Sequence, residues 1–151
     1  MRDEVGHLPR DPRAEDLAGR EDLRDRTIFT IDGEDAKDYD DAISIKRLPE
    51  SEGGGWELAV HIADVGSFIP KRGLLDKEAL ARGSSVYMPD MRISMIPPRM
   101  AEDLCSLKVG EIRPAISLMV RLSPMGDVRG YEIFPSRIRV GRQLTYYEVN
   151  T

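Results

Sequence analysis

The amino-acid sequence predicts an α+β fold, built on a largely antiparallel sheet with a few short helices. Residues 56–63 alternate between apolar and other side chains, as a strand does. Two stretches, 49–55 and 124–127, contain the glycines and prolines that are typical of turns between neighbouring strands. A helix is predicted over 74–82, where Gly83 follows in a position that would end it.

The first predicted element is a polar arm over residues 1–26, which contains prolines, many charges and a stretch, 14–23, with some helical character. We expect a single domain to follow over residues 27–151. It begins with a β-branched strand at 27–31, and a second strand is predicted at 42–46.

The strand at 56–63 places Trp56, Leu58, Val60 and Ile62 on one face, and we interpret Trp56 as a core residue.

Further along the chain, extended segments alternate with irregular ones. An extended segment at 84–88 stops at Pro89, and an irregular stretch broken by two prolines follows at 93–108. The second hairpin pairs 117–123 with 128–134.

Composition excludes several classes of protein. The sequence is 40% hydrophobic and contains one cysteine, so an internal disulfide or a zinc site made of cysteines is excluded within one copy of the chain. No apolar run reaches the roughly 20 residues that a membrane span needs, and the charged N-terminus does not resemble a secretory signal. We therefore expect a cytoplasmic protein with no membrane partner.

The negative charge is concentrated in one short segment. The whole chain has a net charge of −5, and residues 32–41 alone contain six acidic residues and one lysine. The rest of the chain is therefore neutral overall, so the acidic pI of about 5.1 does not exclude a nucleic-acid partner.

A folded chain needs a reason to concentrate carboxylates in this way. Two carboxylates about 4 Å apart repel by roughly 4 kcal/mol at an effective dielectric constant of 20. Oxygen ligands suit Mg²⁺ or Mn²⁺, whereas a solvated acidic turn explains the spacing equally well. An EF-hand is excluded, because a loop that starts at Asp32 would have Lys37 at its glycine position and Ile43 at its glutamate position.

Eight motifs occur in one order along the chain and together narrow these alternatives. They are residues 21–25, 30–42, 60–65, 75–79, 82–89, 95–97, 104–107 and 144–146. In this order they resemble the N-terminal half of the RNB domain, the catalytic unit of the RNase II and RNase R exoribonucleases. The acidic motif is closer in form to RNase R.

The resemblance implies a hydrolytic 3′→5′ exoribonuclease that uses Mg²⁺, or Mn²⁺, to degrade single-stranded RNA to nucleoside monophosphates. The catalytic, metal-binding aspartates of the family fall on Asp32, Asp38, Asp40 and Asp41. Glu34 and Asp35 match none of the four positions, and we interpret them as structural or charge-supporting.

Outside the acidic segment, Tyr87 matches a family tyrosine that stacks against RNA. Arg137 and Arg139 lie on one face of a predicted strand around Ile138, where they are interpreted either as phosphate contacts or as an exposed face. His61 is interpreted as a hydrogen-bonded structural histidine, because the metal site of the family is entirely carboxylate.

The resemblance also implies partners. A complete RNB domain has a C-terminal half that supplies a catalytic arginine, and flanking OB-fold domains bind RNA. We therefore expect this chain to function together with such parts. Two alternatives remain open, a catalytically inactive RNA- or metal-binding module and an acidic interaction domain.

Overall fold

A seven-stranded sheet forms the centre of the molecule in the computed structural model, which describes residues 11–150. Its strands are β1 (Glu21–Asp22), β2 (Phe29–Asp32), β3 (Asp41–Arg47), β4 (Trp56–Ala63), β7 (Ile112–Leu122), β8 (Val128–Arg139) and β9 (Arg142–Thr145). Across the sheet their order is β1-β8-β7-β4-β3-β2-β9. A separate hairpin consists of β5 (Val86–Tyr87) and β6 (Arg92–Ile93).

The predicted fold class is confirmed, because all four contacts between the central strands are antiparallel. The two edge strands, β1 and β9, pair in parallel with β8 and β2. The separate strand predicted around Ile138 was wrong. β7 is long enough to pair with β8 as far as Arg139, so the second hairpin runs through this region without a break.

Helices are few and short. The α-helices of the described residues are α1 (Ala14–Leu17), α2 (Leu74–Arg82) and α3 (Tyr146–Val149), and Met100–Leu104 forms a single π-helical turn. As predicted, α2 ends at Gly83, whose φ of 73° lies in the left-handed region that favours glycine. Within the described residues, none of the helices is long and apolar enough to cross a membrane.

Part of the predicted N-terminal arm belongs to the sheet. Residues 1–10 lie outside the described residues, whereas Glu21–Asp22 extends the sheet beside β8. Arg20 donates to the carboxylate of Asp64 at 2.5 Å, and Leu23 is buried in the core. The domain boundary at residue 26 stays a prediction, but the contacts of residues 20–23 with the sheet are already extensive.

Trp56 lies on the face of the sheet opposite to the one predicted for it. The buried face of β4 carries Ala59, His61 and Ala63, while Trp56 lies on the opposite face and is 39% exposed. The interpretation of Trp56 as a core residue was therefore wrong. The buried core lies on the other face of the strand, where Ala63 belongs to the same cluster as Ile28 and Leu107.

A second, smaller core lies beside the sheet and supports the connections that follow β4. Its buried members are Phe68 after β4, Leu75 on α2, Met100 and Leu104 in the turn Met100–Leu104, and Cys105 directly after this turn.

Candidate functional site

The four aspartates lie at one end of the central sheet. Asp32 is the last residue of β2 and Asp41 is the first residue of β3, with Asp38 and Asp40 in the connection between these strands. Because β2 and β3 are antiparallel neighbours, the connection must return to the end at which β2 leaves the sheet. The fold therefore brings together side chains that are separated by up to nine positions.

The electrostatics of the cluster reflect this closeness. Desolvation raises the pKa of Asp32, a hydrogen-bonding interaction with the Thr30 side chain opposes this, and the negative charges of Asp41 and Asp38 raise the pKa further. Desolvation and the charges of Asp38, Asp41 and Asp32 likewise raise the pKa of Asp40. Asp40 is exposed to solvent, so repulsion between the carboxylates is the main physical cause of its raised pKa. A bound cation would relieve this repulsion.

Two buried oxygens at the cluster have no partner in good hydrogen-bond geometry among the described residues, although the Thr30 side chain lies close enough to Asp32 to influence its pKa. They are Oδ2 of Asp32 and Oγ1 of Thr30, which are two positions apart on β2. A buried carboxylate oxygen without a partner is costly, and a hard divalent cation is a suitable partner for it. The donor set thus fits such an ion. Within residues 11–150, however, no three acidic, histidine or cysteine side chains are already arranged to hold one.

The backbone of the acidic connection is held by residues far away in sequence. The hydroxyl of Ser106 accepts a hydrogen bond from the Tyr39 amide at 3.1 Å and donates one to the Lys37 carbonyl at 3.3 Å. These two groups flank Asp38 in the chain. The Leu107 amide donates to the Tyr39 carbonyl, and the Ala63 amide donates to the Asp40 carbonyl, each at 2.9 Å.

The side chain of Asp38 is held from the other direction by the β5–β6 hairpin. Its Oδ2 accepts hydrogen bonds from the Tyr87 hydroxyl at 3.0 Å and from Arg92 at 3.2 Å. The same arginine pairs with Glu102. A depression of about 660 Å³ opens between the hairpin and the acidic connection, and Asp35 and Asp38 are among its lining residues. The structure thus brings Tyr87 to the aspartates.

Arg137 and Arg139 are not brought to the cluster. They lie on β8, and β7 and β4 separate this strand from β3, a distance of about 14 Å at the usual strand spacing. Arg137 donates to Asp22 on the neighbouring β1 at 2.7 Å, whereas Arg139 is exposed.

His61 is a buried histidine on the core face of the sheet. Its Nδ1 lies 2.7 Å from the hydroxyl of Ser117, and its Nε2 lies 3.1 Å from the hydroxyl of Ser44. Both ring nitrogens therefore have partners, in agreement with a structural role. Burial, followed by the charge of Arg26, lowers its pKa to about 4, so the ring is neutral at physiological pH.

Three residues of the site were missed by sequence reasoning. Ser106 and Arg92 contact the acidic connection from 67 and 54 positions away, and no local pattern indicates such contacts. Thr145 on β9 lies directly beside Asp32 in the sheet. The motif at 104–107, which contains Ser106, was a signal that could have directed attention to this residue.

Comparison with known proteins gives a consistent result. The RNB domain matches residues 20–151. Ribonuclease R of Thermotoga maritima is 44% identical over 147 residues, a stretch that covers 97% of this chain and 20% of that protein. The chain spans about a fifth of the length of the curated relatives it matches.

Solved structures agree with the sequence comparison. Mycoplasma genitalium RNase R in complex with double-stranded RNA superposes with a TM-score of 0.91 at 28% identity, over 99% of this chain and 26% of that chain. The same enzyme in complex with ribose-methylated single-stranded RNA has a TM-score of 0.89 at 29% identity, over 98% and 22% of the two chains.

Proposed function

The chain belongs to the RNB family, and we propose on this premise that it carries the metal-binding part of an exoribonuclease active site. The reaction is hydrolysis of single-stranded RNA from its 3′ end to nucleoside monophosphates. The observation that carries the proposal is the placement of four aspartates at the adjoining ends of β2 and β3 and in the connection between them, where the buried Oδ2 of Asp32 has no hydrogen-bond partner among the described residues.

The proposed metal is Mg²⁺, with Mn²⁺ as a substitute. Asp32, Asp38, Asp40 and Asp41 would hold it, because they lie together at this end of the sheet, and the charges of the neighbouring aspartates help to raise the pKa values of Asp32 and Asp40. When bound to carboxylates, such ions stabilise charge on phosphoryl oxygens and produce a hydroxide-like nucleophile from water. Ser106 keeps the connection in the conformation that presents these side chains.

RNA binding is proposed to begin at Tyr87. Its ring is 66% exposed and stands beside Asp38, which would place a stacked base next to the metal-binding carboxylates. Stacking on an aromatic ring contributes about 1–3 kcal/mol per base and accepts any base. The complexes of the Mycoplasma genitalium enzyme with double-stranded RNA and with ribose-methylated single-stranded RNA support RNA as the ligand class, and we propose the single-stranded form as the substrate. Arg137 and Arg139 remain proposed phosphate contacts at a greater distance along the sheet.

Activity is proposed to require more than this chain. The relatives are about five times as long, and we propose as partners the C-terminal half of an RNB domain and OB-fold RNA-binding domains. The chain would supply the metal site and one stacking ring, while its partners would supply the catalytic arginine and most of the RNA path.

The metal assignment is tested by calorimetric titration of the chain with Mn²⁺ or Mg²⁺. Asp40→Asn should lower the affinity at least about tenfold, because it removes one charged ligand from a shared site. Asp35→Asn is the matched control, since it removes one charge from the same segment at an exposed position. Equal losses in the two variants would show non-specific attraction and would contradict the assignment.

The proposed reaction is tested in a ribonuclease in which this chain forms part of a complete RNB domain. Asp40→Asn should abolish metal-dependent release of mononucleotides from single-stranded RNA, while binding of the RNA survives. The reason is that the variant removes a metal ligand and leaves the stacking tyrosine in place. Retained turnover in this variant would refute the proposed role of Asp40.

A further inference from the structure

We propose that Arg92 is a positioning residue, which fastens the β5–β6 hairpin to the acidic connection and so keeps the ring of Tyr87 beside Asp38. The inference rests on the proposed function, because it concerns how the stacking ring and the metal-binding carboxylates are kept together. Arg92 itself is neither one of the metal-binding carboxylates nor the stacking ring.

Arg92 connects three parts of the site. Its guanidinium donates to Oδ2 of Asp38 at 3.2 Å and pairs with Glu102 in the turn Met100–Leu104. It also lies over the ring of Tyr87, 5.9 Å from the ring centre. The side chain is only 23% exposed, so these interactions are partly shielded from water.

Among the described residues, the Tyr87 hydroxyl is the other hairpin group that donates to Asp38, and the hairpin itself is weakly held. Each of its strands has two residues, and a short isolated hairpin is marginally stable in water. Its apolar side chains do not form a core, since Val86, Met91 and Ile93 are all exposed. Hydrogen bonds at its base, such as the one from the Met95 amide to Ser85, do not reach the acidic connection.

The chemistry of arginine suits this task. A planar guanidinium presents several donors in a fixed arrangement, so that one side chain can bind two carboxylates and lie against an aromatic face. A lysine has a single charged point at the end of a flexible stem and cannot reproduce this geometry. The proposal therefore predicts that the shape of Arg92 matters as well as its charge.

A double-mutant cycle tests whether Arg92 acts through Tyr87. The measurement is the affinity of the chain for a short single-stranded oligoribonucleotide, for which Tyr87→Ala should cost about 5- to 150-fold. Arg92→Gln should cause a similar loss, and the double variant should bind no more weakly than Tyr87→Ala alone. A further loss in the double variant would show direct contact of Arg92 with RNA and would overturn the proposal.

Arg92→Lys separates position from charge in the same assay. It should bind the oligoribonucleotide about as weakly as Arg92→Gln. Full affinity in the lysine variant would overturn the positioning role and assign Arg92 a purely electrostatic one.

Hydrogen exchange provides a readout that needs neither RNA nor metal. The Met88 amide donates to the Met91 carbonyl within the hairpin, and Arg92→Gln should raise its exchange rate by roughly tenfold or more. Arg129→Gln is the control, because Arg129 binds the Gly53 carbonyl in another part of the molecule. Unchanged exchange in Arg92→Gln overturns the positioning role. If Arg92→Gln exchanges faster but the unsubstituted chain binds no oligoribonucleotide, the positioning role is supported and RNA binding by this chain is refuted.

Discussion

Ser106 supports the acidic connection through a single buried hydroxyl, which contacts the residues on both sides of Asp38. Ser106→Ala would leave the Tyr39 amide and the Lys37 carbonyl without this partner. A buried polar group left without a partner costs about 1–3 kcal/mol, and we expect the free energy of unfolding to fall by that amount. Denaturant unfolding followed by circular dichroism measures the change.

Ser51→Ala is a suitable comparison at the same scale, because Ser51 is exposed to solvent. Its effect should lie within about 0.5 kcal/mol of zero. If Ser106→Ala were equally neutral, the hydroxyl would not be holding the connection, and the aspartates would owe their arrangement to the ends of β2 and β3 alone.

At the scale of elements, a row of buried polar side chains joins four strands beneath the sheet. Ser44 on β3, His61 on β4, Ser117 on β7 and Ser136 on β8 form a continuous series of hydrogen bonds. Since every hydroxyl and ring nitrogen in the series has a partner, the row fixes the register of the strands at little cost in desolvation.

This row makes the stability of the sheet depend on pH. The pKa of His61 is about 4 in the folded chain against 6.5 for an ordinary histidine, so the unfolded chain binds more protons between these values. The free energy of unfolding should be unaffected by His61 above about pH 6.5 and should fall by about 3 kcal/mol as the pH drops towards 4. Urea unfolding across this range measures the slope.

The titration of the His61 ring can be followed separately by NMR. Protonation near pH 4 in the folded chain would agree with the expected slope. Protonation near pH 6.5 would remove the predicted contribution of His61, and any observed slope would then belong to other groups.

At the scale of the whole molecule, one face of the sheet is apolar and faces solvent. Cross-strand neighbours on β3, β4, β7 and β8 expose, among others, Ile45, Ile62, Ile116, Tyr131 and Ile133. Contiguous apolar patches of this kind promote association in water. We expect the purified chain to self-associate reversibly, and we expect Ile133→Lys, at a residue that is 64% exposed, to weaken the association in sedimentation velocity.

Leu80→Lys is the matched control, because Leu80 is 82% exposed on α2, away from this face. It makes the same kind of change and should leave the sedimentation behaviour as it was. A chain that stays monomeric without any substitution, or equal effects of the two lysines, would contradict the prediction.

Local patterns in the sequence were enough for much of the fold. Strand β4 and helix α2 have the predicted limits, because the alternation of side chains and the glycine at position 83 are local signals. The edge strands β1 and β9 were not predicted. Each is short, and its place depends on parallel pairing with a strand that is distant in sequence.

The sequence by itself determined the family, the fold class and the four aspartates as candidates, since all three depend on residue types and their order along the chain. Only the tertiary structure decided which face of β4 is buried and that Arg92 and Ser106 support Asp38. It also showed that Arg137 pairs with Asp22, far from the aspartates. The physical reason is that burial and contact depend on which distant segments pack together, and a local pattern does not contain that information.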